Sequence, residues 1–193
     1  MAEGSISNRY EVLIIGGSAG SLDVLIQLLP ALRRDLDLAI VIVQHRKPGE
    51  SLLVELLNEK TSWPVKEVEE KESIEKNTIY VAPADYHLLF EKDKTFSLDL
   101  SEKLHYSRPA IDVSFETAAD VYGAALVGLL LSGANADGAE GLKKIKMAGG
   151  LTIVQDPLEA AVSYMPEQAL DVVEPDYVAN VGKIVEIVNR LNG

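Results

Sequence analysis

The sequence predicts an α/β fold: a three-layer, doubly wound, mostly parallel sheet with an inserted antiparallel hairpin. Three observations predict it. Apolar runs recur that are continuous rather than alternating, and such strands need both faces covered. Stretches with one apolar stripe at helical spacing separate them. The 193 residues, 47% hydrophobic and 25% charged, fit one domain with a full core.

The elements follow in order. Residues 11–15 are a short β-rich run ending at glycine, the first strand. Residues 21–29 place Leu22, Leu25, Ile26 and Leu29 on one stripe, a helix that Pro30 stops. "LAIVIVQ" (38–44) is the second strand, and residues 51–60 repeat the stripe with Leu52, Leu53, Leu56 and Leu57. "TIYVA" (78–82) is the third strand. Residues 86–91 and 96–100 flank "KDK" and read as a β-hairpin on an edge. Helices over 111–122, 138–148 and 182–191 alternate with strands "AALVGLLL" (124–131) and "LTIVQ" (151–155). No linker, repeat or composition shift divides the chain, so residues 1–193 read as one domain with an N-terminal tail over 1–10.

Charge and composition exclude several functions. With 18 Lys and Arg against 30 Asp and Glu, the net charge of −12 repels nucleic-acid phosphates and anionic membrane surfaces. The pairs Arg33-Arg34 and Lys143-Lys144 read as solvated helix faces. No apolar run is long enough to span a bilayer, so no membrane insertion is expected; the best run ends at Ser132 and Gly133. The start, MAEGSISNRY, lacks the apolar core of a signal peptide. The absence of cysteine removes disulfides, thiolate zinc sites and cysteine nucleophiles. A soluble cytoplasmic protein is the expectation.

"VLIIGGSAGSLDVL" (12–25) runs a strand through a glycine bend into a helix. A dinucleotide cradle needs glycine where Ser18 and Ser21 stand, and an acid after the second strand, where Gln44-His45-Arg46 stands. The bend also lacks the G-K-[ST] of a phosphate loop. It does fit G-x-S-x-G, with Gly16, Ser18 and Gly20: a nucleophile elbow whose serine is followed by a helix N-terminus that can steady an oxyanion. On the pattern alone, a helix-capping serine in a glycine-rich turn fits equally well.

A serine nucleophile needs a base, oriented by a carboxylate. Of the three histidines, His87 opens the hairpin and His105 lies in a polar loop. His45 directly follows the second strand, on the sheet edge where sites form in parallel sheets. For the acid, Asp137 and Asp156 both lie just past strand ends. Asp137 is favoured, although Asp137-Gly138-Ala139-Glu140 also matches a helix-capping pattern. The order Ser, His, Asp differs from that of ordinary α/β-hydrolases.

"IIGGSAGSLDVL", "VIVQH", "IYVAPADYHLL", "SRPAIDVSFETAA", "LLLSGANADGAEGL", "GGLTIVQDP" and "MPEQAL" come in the order found in the chemotaxis protein-glutamate methylesterases. From about residue 12 to 170 the chain resembles that family's catalytic domain, without the receiver domain that usually precedes it. The resemblance implies hydrolysis of glutamate methyl esters on chemoreceptors, with deamidation of some glutamines. It implies Ser18, His45 and Asp137 as catalytic residues, which decides between Asp137 and Asp156, and requires no cofactor or metal. The backbone N–H of Ala19, with a second near Ala134, is the expected oxyanion hole. Arg46, Arg108, Tyr164 and Met165 are the groove candidates. The expected partners are a methylated chemoreceptor and a separate receiver domain or methyltransferase. Ser21, Arg46 and Ala134 depart from the family pattern at the rim of the site. The alternatives are a family member that docks on a receptor or methyltransferase without turnover, and a nucleotide- or phosphate-binding α/β protein.

Overall fold

The computed structural model describes residues 9–49 and 52–193. Its strands are β1 (Val12–Gly17), β2 (Ala39–Gln44), β3 (Val65–Glu67), β4 (Ile79–Val81), β5 (His87–Phe90), β6 (Phe96–Asp99), β7 (Leu126–Leu130), β8 (Leu151–Gln155) and β9 (Tyr177–Ala179). Its helices are α1 (Ser21–Leu28), α2 (Leu53–Lys60), α3 (Ile111–Tyr122), α4 (Ala139–Met147), α5 (Tyr164–Val172) and α6 (Val181–Asn189). Seven strands form one sheet in the order β3-β4-β2-β1-β7-β8-β9, and every pairing in it is parallel.

The continuous apolar strands have the expected cause. Alternate residues of β1 point to opposite faces. Leu13 and Ile15 join a core with α1, α2 and α6. Val12 and Ile14 join a second core with α3, α4, α5 and the hairpin. Both faces of the sheet are thereby covered, giving three layers. Among the described residues no helix is long and apolar enough to cross a membrane.

The structure revises some expected bounds and one placement. Residues 124–131 start later as a strand, because Gly123–Ala125 form a 3-10 turn. Pro30 lies within another such turn, Leu29–Ala31, that prolongs α1. The helix over 51–60 is observed from Leu53, and residue 51 falls outside the described residues. The hairpin is not on an edge of the main sheet. Strands β5 and β6 make a sheet of their own against α3, where Ser114 Oγ donates to the Leu88 carbonyl (2.8 Å) and Phe90 N–H to Thr117 Oγ1 (3.1 Å). The true edges are β3 and β9, each three residues and too short to show a period.

Candidate active site

Strand β1 lies between β2 and β7, and the chain winds outward on opposite sides of it. That reversal opens a crevice at the carboxyl ends of the strands. The ends are stitched together just beyond the sheet. His45 N–H donates to the Gly17 carbonyl (3.1 Å), Leu131 N–H to Gly16 (2.9 Å) and Ser18 N–H to Ser132 (2.9 Å). Ser18 therefore stands between His45 and Ser132 at the rim of the crevice.

The turn after β1 reverses at Gly20, which has φ +82°, while Ser18 itself is not in the left-handed region. A strained serine, as in a hydrolase elbow, is thus not what raises the hydroxyl. The Ser18 carbonyl is held instead. It accepts from Ser21 N–H (3.1 Å), Ser21 Oγ (2.6 Å) and Gln44 Nε2 (3.0 Å). A Cβ at Gly20 would fall 2.7 Å from Ala161 Cβ and 2.8 Å from Ser132 Oγ, in a conformation that side chains resist. Gly20→Ala is expected to lower stability by about 1–3 kcal/mol, checked by thermal melting. A wild-type melting curve would mean that the turn is free to rearrange.

The Ser132 hydroxyl braces this turn against the loop before α5. It donates to the Ala19 carbonyl (2.7 Å) and accepts from Val162 N–H (2.9 Å). Met165 packs under the other side. A Cβ at Gly133 would lie 2.5 Å from Met165 Cε, so a side chain there would require the buried Met165 to shift. Among the described residues, the N–H groups of Ala19 and Ala134 donate to no protein acceptor, and both residues are exposed. Two free amides thus flank the crevice.

His45 Nε2 lies 2.6 Å from Asp137 Oδ2. Asp137 is fully buried, and its carboxylate also accepts Ile111 N–H at Oδ2 (2.6 Å) and Asp112 N–H at Oδ1 (2.8 Å), the first amides of α3. A helix N-terminus favours a negative charge. An ionised Asp137 places the imidazole proton on Nε2 and leaves Nδ1 as the basic nitrogen. The capping alternative for Asp137 is not what forms. The residue before α4 is Gly138, which has no side chain to cap with. Asp112 does that work from α3, its Oδ1 accepting Gly138 N–H (2.9 Å) and Gly141 N–H (2.7 Å). Asp137 so serves the start of α3, and Asp112, from α3, serves the start of α4. Burial, then the Asp137 charge, holds the Asp112 carboxyl above the usual carboxylate range, against the pull of the Gly141 and Gly138 amides and His105.

The Ser18 hydroxyl makes no hydrogen bond to His45 or to any other described residue. The histidine–aspartate half of the constellation is closed and the serine half is open. Such contacts are often long in free enzymes and tighten on substrate.

His87 is buried, with Ala110 N–H on Nδ1 (3.2 Å) and the Glu102 carbonyl at Nε2 (2.8 Å), a structural histidine. Asp156 turns to the Leu158 N–H (3.0 Å). Arg46 is nearly buried and bonds Glu67 (2.7 Å) and the Ala82 carbonyl (3.0 Å), so it ties β2 to β3 and β4. Arg108 binds Asp85 (2.8 Å) and the carbonyls of Leu100 and Ser101 (2.9 Å each), joining the hairpin to α3. Met165 is fully buried, whereas Tyr164 is exposed. Of the groove candidates, Met165 is buried in packing and Arg108 is held by the hairpin segment, Tyr164 is exposed, and Arg46, while bonded to Glu67 and Ala82, also lines the groove beside His45.

A groove of about 720 Å³ opens beside His45 between α1 and α2. Leu22, Leu52, Leu53 and Leu56 give it an apolar wall, with Glu55 and Glu59 on it. A second cavity of about 670 Å³ lies at the opposite end of the sheet, near Tyr10, Leu151 and Arg190, away from these groups. His105, Asp112 and Asp137 bring ligand-type atoms within 4.8 Å of one another. Their surroundings do not suit a cation, because the starts of α3 and α4 both direct N–H groups at the two carboxylates.

The family described as CheB methylesterase matches residues 13–188. A Leptospira interrogans relative is 50% identical over 189 residues, covering 95% of this chain and 96% of its own. The protein-glutamate methylesterase/protein-glutamine glutaminase of Pyrococcus horikoshii is 36% identical over 188 residues. That match covers 95% of this chain and 51% of the Pyrococcus protein, about half its length. The crystal structure of the Thermotoga maritima CheB methylesterase catalytic domain superposes with a TM-score of 0.90 at 32% identity, over 94% of this chain and 98% of that one. Since these matches run from β1 into α6 and include the turn and strand ends that build the crevice, the chain belongs to the CheB methylesterase family.

Proposed function

We propose that this chain is a protein-glutamate methylesterase with accompanying protein-glutamine glutaminase activity, acting through Ser18, His45 and Asp137 as a single catalytic domain. The observation that carries it is the buried 2.6 Å contact between His45 and Asp137 at the strand end next to Ser18. That contact leaves Nδ1 of His45 to take the Ser18 proton as Oγ attacks the ester carbonyl. The Ala19 and Ala134 amides, free of protein acceptors, are available to the oxyanion. The protonated imidazole then gives its proton to the departing methoxide, releasing methanol. Water, deprotonated by the same nitrogen, attacks the acyl-enzyme. The imidazolium returns that proton to the departing Ser18 Oγ as the glutamate side chain is freed as a carboxylic acid that then ionises.

The substrate is a methylated chemoreceptor, met in the cytoplasm. The groove beside His45 supports this choice. Its leucines can accept apolar side chains of a receptor helix, and Glu55 and Glu59 favour the neutral ester over the newly charged product.

The test is methanol release from a receptor carrying radiolabelled methyl esters, with a fluorophosphonate probe to mark the nucleophile. Methanol release and a single adduct on Ser18 are expected. Receptor binding with neither methanol nor adduct would show instead a docking module. Saturable nucleotide binding at the Gly16–Gly20 turn would revive the phosphate-cradle alternative.

A further inference from the structure

We propose that Ser107 is a positioning residue of this reaction, holding the imidazole of His45 from its Nδ1 side. The inference rests on the methylesterase reading above. Ser107 Oγ lies 3.4 Å from His45 Nδ1, 62 residues away in sequence. Among the described residues it is the polar group that meets this nitrogen, since Ser18 Oγ does not bond it. Asp137 grips the ring at Nε2 alone. One contact fixes a point and leaves the ring free to swing about it. A second contact at Nδ1 fixes the direction in which the basic nitrogen faces.

The segment that carries Ser107 is built to reach this place. Leu104 and Ser107 exchange backbone hydrogen bonds of 3.2 and 2.8 Å, closing a two-residue turn. His105 (φ 48°) and Tyr106 (φ 61°) both lie in the left-handed region, the pattern that Asn-Gly or Gly-Gly ordinarily fills. Two residues with Cβ atoms hold such a turn only when other contacts secure it. Those contacts both run to the catalytic apparatus. His105 Nε2 reaches Asp112 Oδ2 (3.2 Å), whose other oxygen holds the Gly138 amide next to Asp137. Ser107 reaches His45. The turn is a strap anchored on the acid side by His105 and on the base side by Ser107.

A hydroxyl suits both states of the base. With Nδ1 bare, Ser107 donates its proton to the ring. When Nδ1 takes the Ser18 proton, the Ser107 proton turns to the His105 carbonyl, 3.5 Å away, and its oxygen can accept from the imidazolium. No net proton is gained or lost by Ser107. It occupies the base until substrate brings Ser18 into reach, and it keeps the ring aimed meanwhile.

The test compares wild type, Ser107→Ala and Ser107→Thr in methanol release and in the rate of fluorophosphonate labelling of Ser18. Ser107→Ala removes the base-side anchor and leaves both backbone bonds of the turn and the His105–Asp112 contact in place. We expect kcat and the labelling rate to fall roughly tenfold in Ser107→Ala with KM little changed, and Ser107→Thr to restore both. Wild-type kcat and labelling in Ser107→Ala would overturn the proposal. So would a loss confined to KM, or one that Ser107→Thr does not restore. A wild-type protein that releases no methanol and takes no label would instead overturn the methylesterase reading itself.

Discussion

Ser18→Ala is expected to abolish methanol release while leaving the protein as stable as wild type. The two halves of this expectation have separate causes. The fold uses only the backbone of Ser18: its N–H donates to Ser132, and its carbonyl collects three donors from Ser21 and Gln44. Its hydroxyl bonds nothing among the described residues, so its removal leaves no buried group without a partner. The stability change should stay within about 0.5 kcal/mol. The chemistry uses only the hydroxyl. Without it no acyl-enzyme forms, and the oxyanion amides and bound water are left with a residual rate roughly 10⁵-fold lower. Calorimetry beside the methanol assay reads both quantities on one sample. A variant that melts normally and retains more than about a hundredth of the wild-type rate would mean that Ser18 is not the nucleophile.

How much of this was legible in the sequence follows from how far each interaction reaches along the chain. The strands showed themselves because burial on both faces leaves a local mark, a continuous apolar run such as residues 38–44. Once the sheet is parallel, Ser18, His45 and Asp137 must all emerge at its carboxyl edge, and β1 does lie between β2 and β7. Contacts between elements left no such mark. Asp137 looked like a cap for α4 from its neighbours Gly138, Ala139 and Glu140, but its partners are Ile111 and Asp112 at the start of α3. Arg108 reads as a groove candidate from its place just before α3, yet Asp85 and two carbonyls from the hairpin segment absorb its guanidinium. Ser21 stood out only as a missing glycine, whereas its hydroxyl meets the Ser18 carbonyl and Gln44 Oε1 at the heart of the turn. Ser107 opens the segment "SRPAIDVSFETAA", but nothing in that segment marks it as a partner of His45, because the contact exists only when the strap folds over the strand end.

Asp137→Ala is expected to damage stability and activity together, which distinguishes it from Ser18→Ala. The carboxylate is fully buried and accepts from Ile111 N–H, Asp112 N–H and His45 Nε2–H. Alanine leaves all three donors facing a space with no acceptor. Removing one partner of a buried charged network costs about 3–5 kcal/mol, and at this chain length each kilocalorie lowers Tm by roughly 2–4 °C. A fall of roughly 10 °C is therefore the expected melting result. Methanol release should drop roughly 10⁴-fold even at temperatures where the variant is fully folded, because nothing then holds the imidazole proton on Nε2. Asp137→Asn separates the two effects. The amide matches the carboxylate in shape, and one oxygen can still take Asp112 N–H, so the melting loss should be smaller. Its NH₂ would then face both Ile111 N–H and Nε2, turning Nε2 into an acceptor and driving the imidazole proton onto Nδ1. The base would carry a proton on the very nitrogen that must receive one from Ser18. Activity in Asp137→Asn should therefore stay close to the alanine level while stability recovers. Recovery of both in Asp137→Asn would show that the carboxylate only fills space between α3 and α4, and that its charge plays no part in the reaction.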